Sequence, residues 1–121
     1  MQNAAQAYGA VAKQIANPRE LEANLLLKAA ARLQSIHDAW DQRQRDLDDA
    51  LLYNRKLWSV FLASVTAGDH PLPATIRQNV ANLGLFVMNH TLMMMRDPKR
   101  EQVSPLIKIN RELAAGLLGR A

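Results

Sequence analysis

The sequence predicts an all-α fold, a compact bundle of about four to five helices forming a single domain over residues 1–121, and three observations carry that expectation. β-branched residues never run together with period-two alternation, Ala, Leu, Gln, Arg and Met are abundant, and apolar residues recur at three- and four-residue spacing in one segment after another. A chain of 121 residues with 49% hydrophobic and 21% charged residues can bury one core without metals or disulfides, and this balance is that of a globular protein.

Taken in order, Asn3 to Ile15 reads as a helix of mostly small residues, a loosely held arm over residues 1–16, because short helices are marginal without tertiary contacts. The next helix has a clear start: Asn17 as cap, Pro18 at the first helical position and Glu20 three residues after the cap, where it can bond back to the cap N–H. Leu25, Ala29, Leu33, Ile36 and Trp40 then form one stripe, facing the core and ending near Trp40. Asp41 to Arg45 is wholly polar. Asp46 suits a cap, with Asp48 and Asp49 in the positive first turn of a third helix; with no Gly or Pro there, one continuous long helix is the other reading. The third helix places Leu47, Leu51, Asn54, Trp58, Phe61 and Val65 on one face and is expected to stop at Gly68. Asp69 to Pro73, with two prolines, is a stiff loop.

The segment from Pro73 to about Met95 is apolar almost all round. Ile76, Val80, Leu83, Val87 and Met94 make one expected core stripe, while Leu85, Met88 and Leu92 point elsewhere, so the helix is either the buried centre of the bundle or a core helix with a second side left for a partner. Arg96 to Arg100 is a basic connector. Ser104 and Pro105 are expected to cap a last helix through Ile107, Ile109, Leu113 and Leu117, closed by Gly119.

Several function classes have no equipment in this chain. There is no cysteine, which removes disulfides, thiol nucleophiles and thiolate metal sites and is compatible with a reducing cytoplasm. Residues 1–16 lack a charged leader and an apolar run, so no export signal is read, and the longest apolar stretch, near Leu85 to Met88, is far short of a membrane span. His37, His70 and His90 lie in separate segments without the one-turn spacing that a helical zinc site needs. Gly9, Gly68, Gly84, Gly116 and Gly119 are scattered and make no phosphate-binding loop. The carboxylate groups Glu20/Glu22 and Asp46/Asp48/Asp49 sit where helices begin and are explained by capping and the helix dipole. The reading is therefore a binding protein rather than an enzyme, with no catalytic residues, no cofactor and no metal.

Two kinds of partner remain. The net charge of +4 lies wholly in the second half: up to Asp69 eight Lys/Arg face eight Asp/Glu, and from His70 onward seven face three. Arg77, Arg96, Lys99 and Arg100, with Lys108 and Arg111 further on, are candidate contacts for an anionic partner, RNA included. The aromatic interleaving that stacks unpaired bases is missing, because Trp40, Trp58, Phe61 and Phe86 fall at core-like positions. A protein partner is better served by the fourth helix. There Asn79, Asn82, Phe86, Asn89 and Met93 share a face by their three-, four- and seven-residue spacing, and Met88, Met93, Met94 and Met95 add flexible, polarizable surface of the kind that repacks around a helical ligand; Leu85 is counted with the same candidate surface. Core filling by the same methionines is the competing reading.

Four long blocks, Pro18–Leu33 (PRELEANLLLKAAARL), Ala50–Leu62 (ALLYNRKLWSVFL), Leu72–Met88 (LPATIRQNVANLGLFVM) and Leu106–Leu117 (LIKINRELAAGL), occur in an order that closely resembles the FlaF family of flagellar biosynthesis regulators. The resemblance covers nearly the whole chain and is densest at residues 53–58 and 77–86. It implies a small cytoplasmic protein required for flagellin production and export, with flagellin as its partner and, in many relatives, a second regulator that controls flagellin translation. Some relatives look like secretion chaperones for flagellin and others like negative regulators of its expression; the second role leaves open action on flagellin messenger RNA, directly or through that partner. No catalytic residue comes with the resemblance.

Overall fold

Pro18 opens helix α1 (Pro18–Asp38), in a computed structural model that describes residues 18–67 and 72–119 of the chain. The expected arm at residues 3–15 and the expected cap at Asn17 lie outside the described residues. The buried stripe of α1 is Ala23, Leu26, Ala29, Ala30, Leu33 and Ile36. It differs from the expected one at Leu25, which is only half-buried, while Leu26 is fully covered. The alanines explain the shift, since a stripe centred on Ala23, Ala30 and Leu33 lets a neighbouring helix approach closely, and simple hydropathy undervalues alanine as a core residue.

Neither the expected turn nor one continuous helix joins α1 to the next element. A single α-helical turn, Trp40–Arg43, runs into a 3-10 turn, Gln44–Asp46, and from there into α2 (Leu47–Val65). Trp40 itself lies beyond α1 and packs half-buried against the core. Asp46 does not cap: its backbone is in the helical region and its side chain makes no cap hydrogen bond. Instead its carboxylate accepts a bond from Arg43 Nε at 3.1 Å, and Arg43 also donates to Ser35 Oγ, so the polar run holds the corner against α1.

Helix α2 buries Leu47, Leu51, Asn54, Trp58, Phe61 and Val65, the face its spacing predicts, with Ala50 beside them. It ends before the expected glycine stop. Thr66 Oγ1 donates to the Leu62 carbonyl at 2.7 Å, satisfying one of the free carbonyls of the last turn; Gly68 and residues 69–71 are outside the described residues.

Helix α3 (Ala74–Arg96) buries Val80, Gly84, Val87, Thr91 and Met94. Two members of the expected stripe, Ile76 and Leu83, are exposed. The true stripe is rotated toward Gly84 and Thr91, which hydropathy does not count. Gly84 is buried because α2 crosses there, and the buried Thr91 hydroxyl donates to the Val87 carbonyl at 2.6 Å. A 3-10 turn, Arg100–Gln102, leads into α4 (Val103–Leu117). Ser104 lies inside α4 rather than capping it, and no side chain caps its start. Pro105 falls in the first turn, where its missing N–H costs nothing. Gly119, at φ 75°, closes helix α4 as expected, its N–H bonded to the Gly116 carbonyl at 3.1 Å.

The four long helices form a bundle with no strand among the described residues. The closest pairing is α1 with α4, which run antiparallel: Arg100 Nε reaches the His37 carbonyl at 2.9 Å at one end, and Asn110 reaches the Leu26 carbonyl at 3.3 Å in the middle. Helix α2 packs on α1, and α3 packs chiefly on α2, at the edge of the bundle. Through the centre runs a buried polar chain. Trp58 Nε1 donates to Asn110 Oδ1 at 2.9 Å, and Asn110 Nδ2 donates to Asn54 Oδ1 at 2.7 Å, so α1, α2 and α4 are tied in one register.

The α2–α3 crossing yields a test of its own. A Cβ added at Gly84 would meet the Leu62 isobutyl group, 2.8 Å from its Cγ and nearer still to its methyls. Overpacking of this kind costs about 1–3 kcal/mol, against a gain of about 1 kcal/mol in helix propensity. Gly84→Ala is therefore expected to lower stability by about 1 kcal/mol in urea unfolding, and Gly84→Val by more; a stabilised alanine variant would mean that α2 and α3 are not this close.

Candidate functional site

Because α3 leans on α2 with one narrow stripe, most of its circumference is left uncovered. Asn79, Asn82, Leu85, Phe86, Asn89 and Met93 all stand on that uncovered side and are exposed. Met88 does not join them: it is half-buried and packs against the core, as does Met95, while Met94 is wholly buried. The methionines thus divide, with Met93 outward and the others inward. Three apolar residues outside the candidate face are also left uncovered, on its two flanks. Ile76, Leu83 and Leu92 are exposed on α3, and with Leu85, Phe86 and Met93 they make up six of the nine large exposed hydrophobics among the described residues. The all-round apolarity of the segment was the signal; what the sequence lacked was the position of the core stripe, which decides which apolar residues are left over.

Phe86 is the fixed point of this face. Its ring stacks on His90, with centroids 5.1 Å apart and planes 18° from parallel. His90 in turn donates from Nε2 to the Gln102 carbonyl at 2.7 Å, across the connection to α4. An aromatic that is 45% exposed is thereby held in one orientation, and an anchor ordered in advance loses little entropy on binding. Further along, Asn89, Leu92, Met93, Arg96 and Asp97 line a shallow open depression of about 420 Å³ at the end of α3. Gln78 Nε2 donates to Asn82 Oδ1 at 3.1 Å along the same helix.

The candidate cations are not equivalent. Lys99 lies 3.7 Å from the Asp97 carboxylate, and Arg100 is engaged with the His37 carbonyl, where it satisfies an end group of α1. The same end carries Asp38, whose carboxyl is held below its ordinary range by hydrogen bonds from His37 and Gln34. Lys108 approaches Glu112 at 4.0 Å on α4, and Arg111 lines a separate depression with them. Arg77 and Arg96 stand on α3 itself, and neither forms an ion pair among the described residues. Arg77 Nε is buried without an acceptor. Far from this face, on α1, burial lifts the Glu22 carboxyl above its ordinary range, with Arg19 opposing the shift.

No group of three His or carboxylate side chains is placed to hold a metal ion among the described residues. No helix among them is long and apolar enough to cross a membrane. The arrangement offers an apolar surface with amide edges, which suits a helical segment laid along it. In comparisons with known proteins, the family model described as flagellar protein FlaF matches residues 4–117. No curated protein and no solved structure matches the chain.

Proposed function

The chain belongs to the FlaF family of flagellar proteins, and from that premise we propose that it serves flagellum biogenesis in the cytoplasm by binding flagellin, as a chaperone for its secretion and assembly. The observation that carries this reading is the outward side of α3, where Leu85, Phe86, Leu92 and Met93 stand exposed around a pinned aromatic ring. A secreted filament subunit kept from assembling has amphipathic segments whose apolar faces are without their final partners, and such a face needs cover until export. An amphipathic helix laid on α3 provides it. Ordering an unfolded segment consumes part of the interaction energy, so the affinity is moderate and release at the export gate is not obstructed.

A protein partner accounts for α3 better than RNA does. Lys99 and Arg100 are occupied within the fold, and Arg77 and Arg96 lie about 28 Å apart along the helix at 1.5 Å per residue, which is no cluster for a phosphate backbone. The test is recovery of flagellin with the tagged protein from cells, before and after nuclease treatment. A complex that survives nuclease supports flagellin binding. A complex that disappears overturns it and leaves control of flagellin translation, direct or through a partner regulator, as the role.

A further inference from the structure

Resting on that reading of α3, we infer that one flank of the helix is covered in the free protein by the chain's own residues 3–15, which a flagellin segment displaces. At 100° per residue the apolar side chains left over on α3 fall on two flanks. Leu85 and Leu92 stand on one. On the other, Ile76, Asn79, Leu83, Phe86, His90 and Met93 follow at alternating three- and four-residue spacing, the row against which a second helix seats in a coiled coil. All but His90 are exposed, Ile76 at 43% and Leu83 at 38%. His90 reaches the Gln102 carbonyl just ahead of α4, so this flank turns toward α4. Yet α3 packs chiefly on α2, and from His90 back to Ile76 the row stays open.

The place where the chain enters the bundle chooses the occupant. Leu26 is level with Asn110 in the antiparallel pair of α1 and α4, so Pro18, eight residues back, is level with Leu118, eight residues on. His90 is level with Gln102, so Ala74, sixteen residues back, is level with Leu118 too. The residues before Pro18 therefore enter at the end of the bundle where the open row begins. As a helix, residues 3–15 measure about 20 Å; running back alongside α3, they cover the row from Ile76 to Phe86. Ala4, Tyr8, Val11 and Ile15 recur at four-, three- and four-residue spacing, a matching row. Charge agrees, since the α3 row holds amides, an imidazole and apolar groups, and Lys13 is the sole charged side chain in residues 1–17. The family model begins at residue 4, so this segment is part of what the family shares.

Tethering makes the docking intramolecular, with an effective concentration in the millimolar range, so a weak contact keeps the flank shut for most of the time. A partner's apparent affinity then falls by the fraction of time that the flank is open. Phe86, at the far end of the covered stretch, belongs to both contacts, and there the segment and flagellin exclude each other. Met93 and the depression it lines with Asn89 and Leu92 lie beyond the cover.

The sequence has no cysteine, so thiol pairs introduced into the full chain read the contact directly. Tyr8→Cys/Leu83→Cys is expected to close an intramolecular disulfide under mild oxidation, as is Val11→Cys/Asn79→Cys, which leaves Tyr8 in place. Tyr8→Cys/Val60→Cys, with its second thiol on α2, is expected to stay open. Oxidation of either α3 pair is expected to abolish flagellin recovery, and dithiothreitol to restore it. Tyr8→Asp is expected to bind flagellin about five-fold more tightly while its melting temperature falls, opposite signs that a merely structural role for Tyr8 does not produce.

No disulfide in either α3 pair, or equal closure of the Val60 pair, overturns the cover and leaves the flagellin reading intact. A disulfide that joins two chains overturns it in favour of a second copy on this flank. Closure of the α3 pairs with flagellin recovered equally in oxidised and reduced protein overturns the displacement and moves flagellin off this flank. Closure of those pairs when the parent chain recovers no flagellin overturns the flagellin reading, and with it the displacement, while the cover stands.

Discussion

Asn110→Leu is expected to lower the unfolding free energy by about 3–4 kcal/mol, the largest effect of any single polar substitution in this fold. Asn110 is wholly buried and serves three groups at once, accepting from Trp58 Nε1 and donating to Asn54 Oδ1 and the Leu26 carbonyl. A leucine there is of similar size and leaves no cavity to speak of, so the loss is electrostatic. The indole N–H and the Asn54 amide remain in the core without partners, at about 1–3 kcal/mol for each stranded group. Against a total stability of about 5–15 kcal/mol this is a large fraction.

The comparison that isolates the cause is Asn54→Leu. Among the described residues the Asn54 side chain makes one hydrogen bond, through Oδ1, and its Nδ2 is already buried without an acceptor. Its replacement removes a stranded donor as well as a bond, while Asn110 keeps Trp58 and Leu26. The expected cost is under about 1 kcal/mol. Urea unfolding followed by tryptophan fluorescence reads both variants, because Trp58 sits in the chain of bonds. Equal costs for the two would mean that Asn110 is not the hub.

How much of this was legible in the residues differs from helix to helix, for identifiable reasons. In α2 the buried positions from Leu47 to Val65, Ala50 apart, follow from spacing alone, because large apolar side chains mark every turn but the one that Asn54 occupies in step with them. In α3 the same reasoning placed Ile76 and Leu83 in the core, where the structure has them exposed. The core positions there include Gly84 and Thr91, and their burial depends on what crosses them: Leu62 over the glycine, and the threonine's own bond to the preceding turn. Asp46 and Ser104 have the chemistry of caps, but helical turns run through both positions, so no free amide end is there to be capped. Arg100 counted as a free cation only while α1 was unplaced; its acceptor is a carbonyl 63 residues away in sequence. Asn110 did leave a sign, a polar residue in step with Val103, Leu106, Ala114 and Leu117 on the buried side of α4. Asn54 left the same sign on α2; what spacing could not show is that the two asparagines meet each other and Trp58 across the core.

That contrast between a tied interior and an open edge sets up the second large effect. Phe86→Asp is expected to abolish recovery of flagellin with the tagged protein while the fold survives. The ring is 45% exposed and its main neighbour is His90, so the stability lost is the stack, about 0.5–1.5 kcal/mol. For binding, a pinned aromatic at the middle of an apolar face is the kind of residue whose removal costs 2 kcal/mol or more, about thirty-fold in affinity, and a carboxylate left against an apolar partner adds to that. Leu85→Asp, at 63% exposure, separates binding from folding more cleanly still, since its stability change is expected to stay within about 0.5 kcal/mol. Two controls fix the interpretation. Val60→Asp replaces an equally prominent apolar residue, 65% exposed, on α2. It lies two residues from Leu62 and so on the far side from α3; it is expected to leave flagellin recovery unchanged. Met88→Asp puts a charge against the core and is expected to unfold the chain, losing flagellin together with its circular-dichroism signal. Loss of flagellin in Phe86→Asp and Leu85→Asp, with melting temperatures near that of the parent, assigns the contact to the outer side of α3. Full recovery in both moves the contact elsewhere on the bundle.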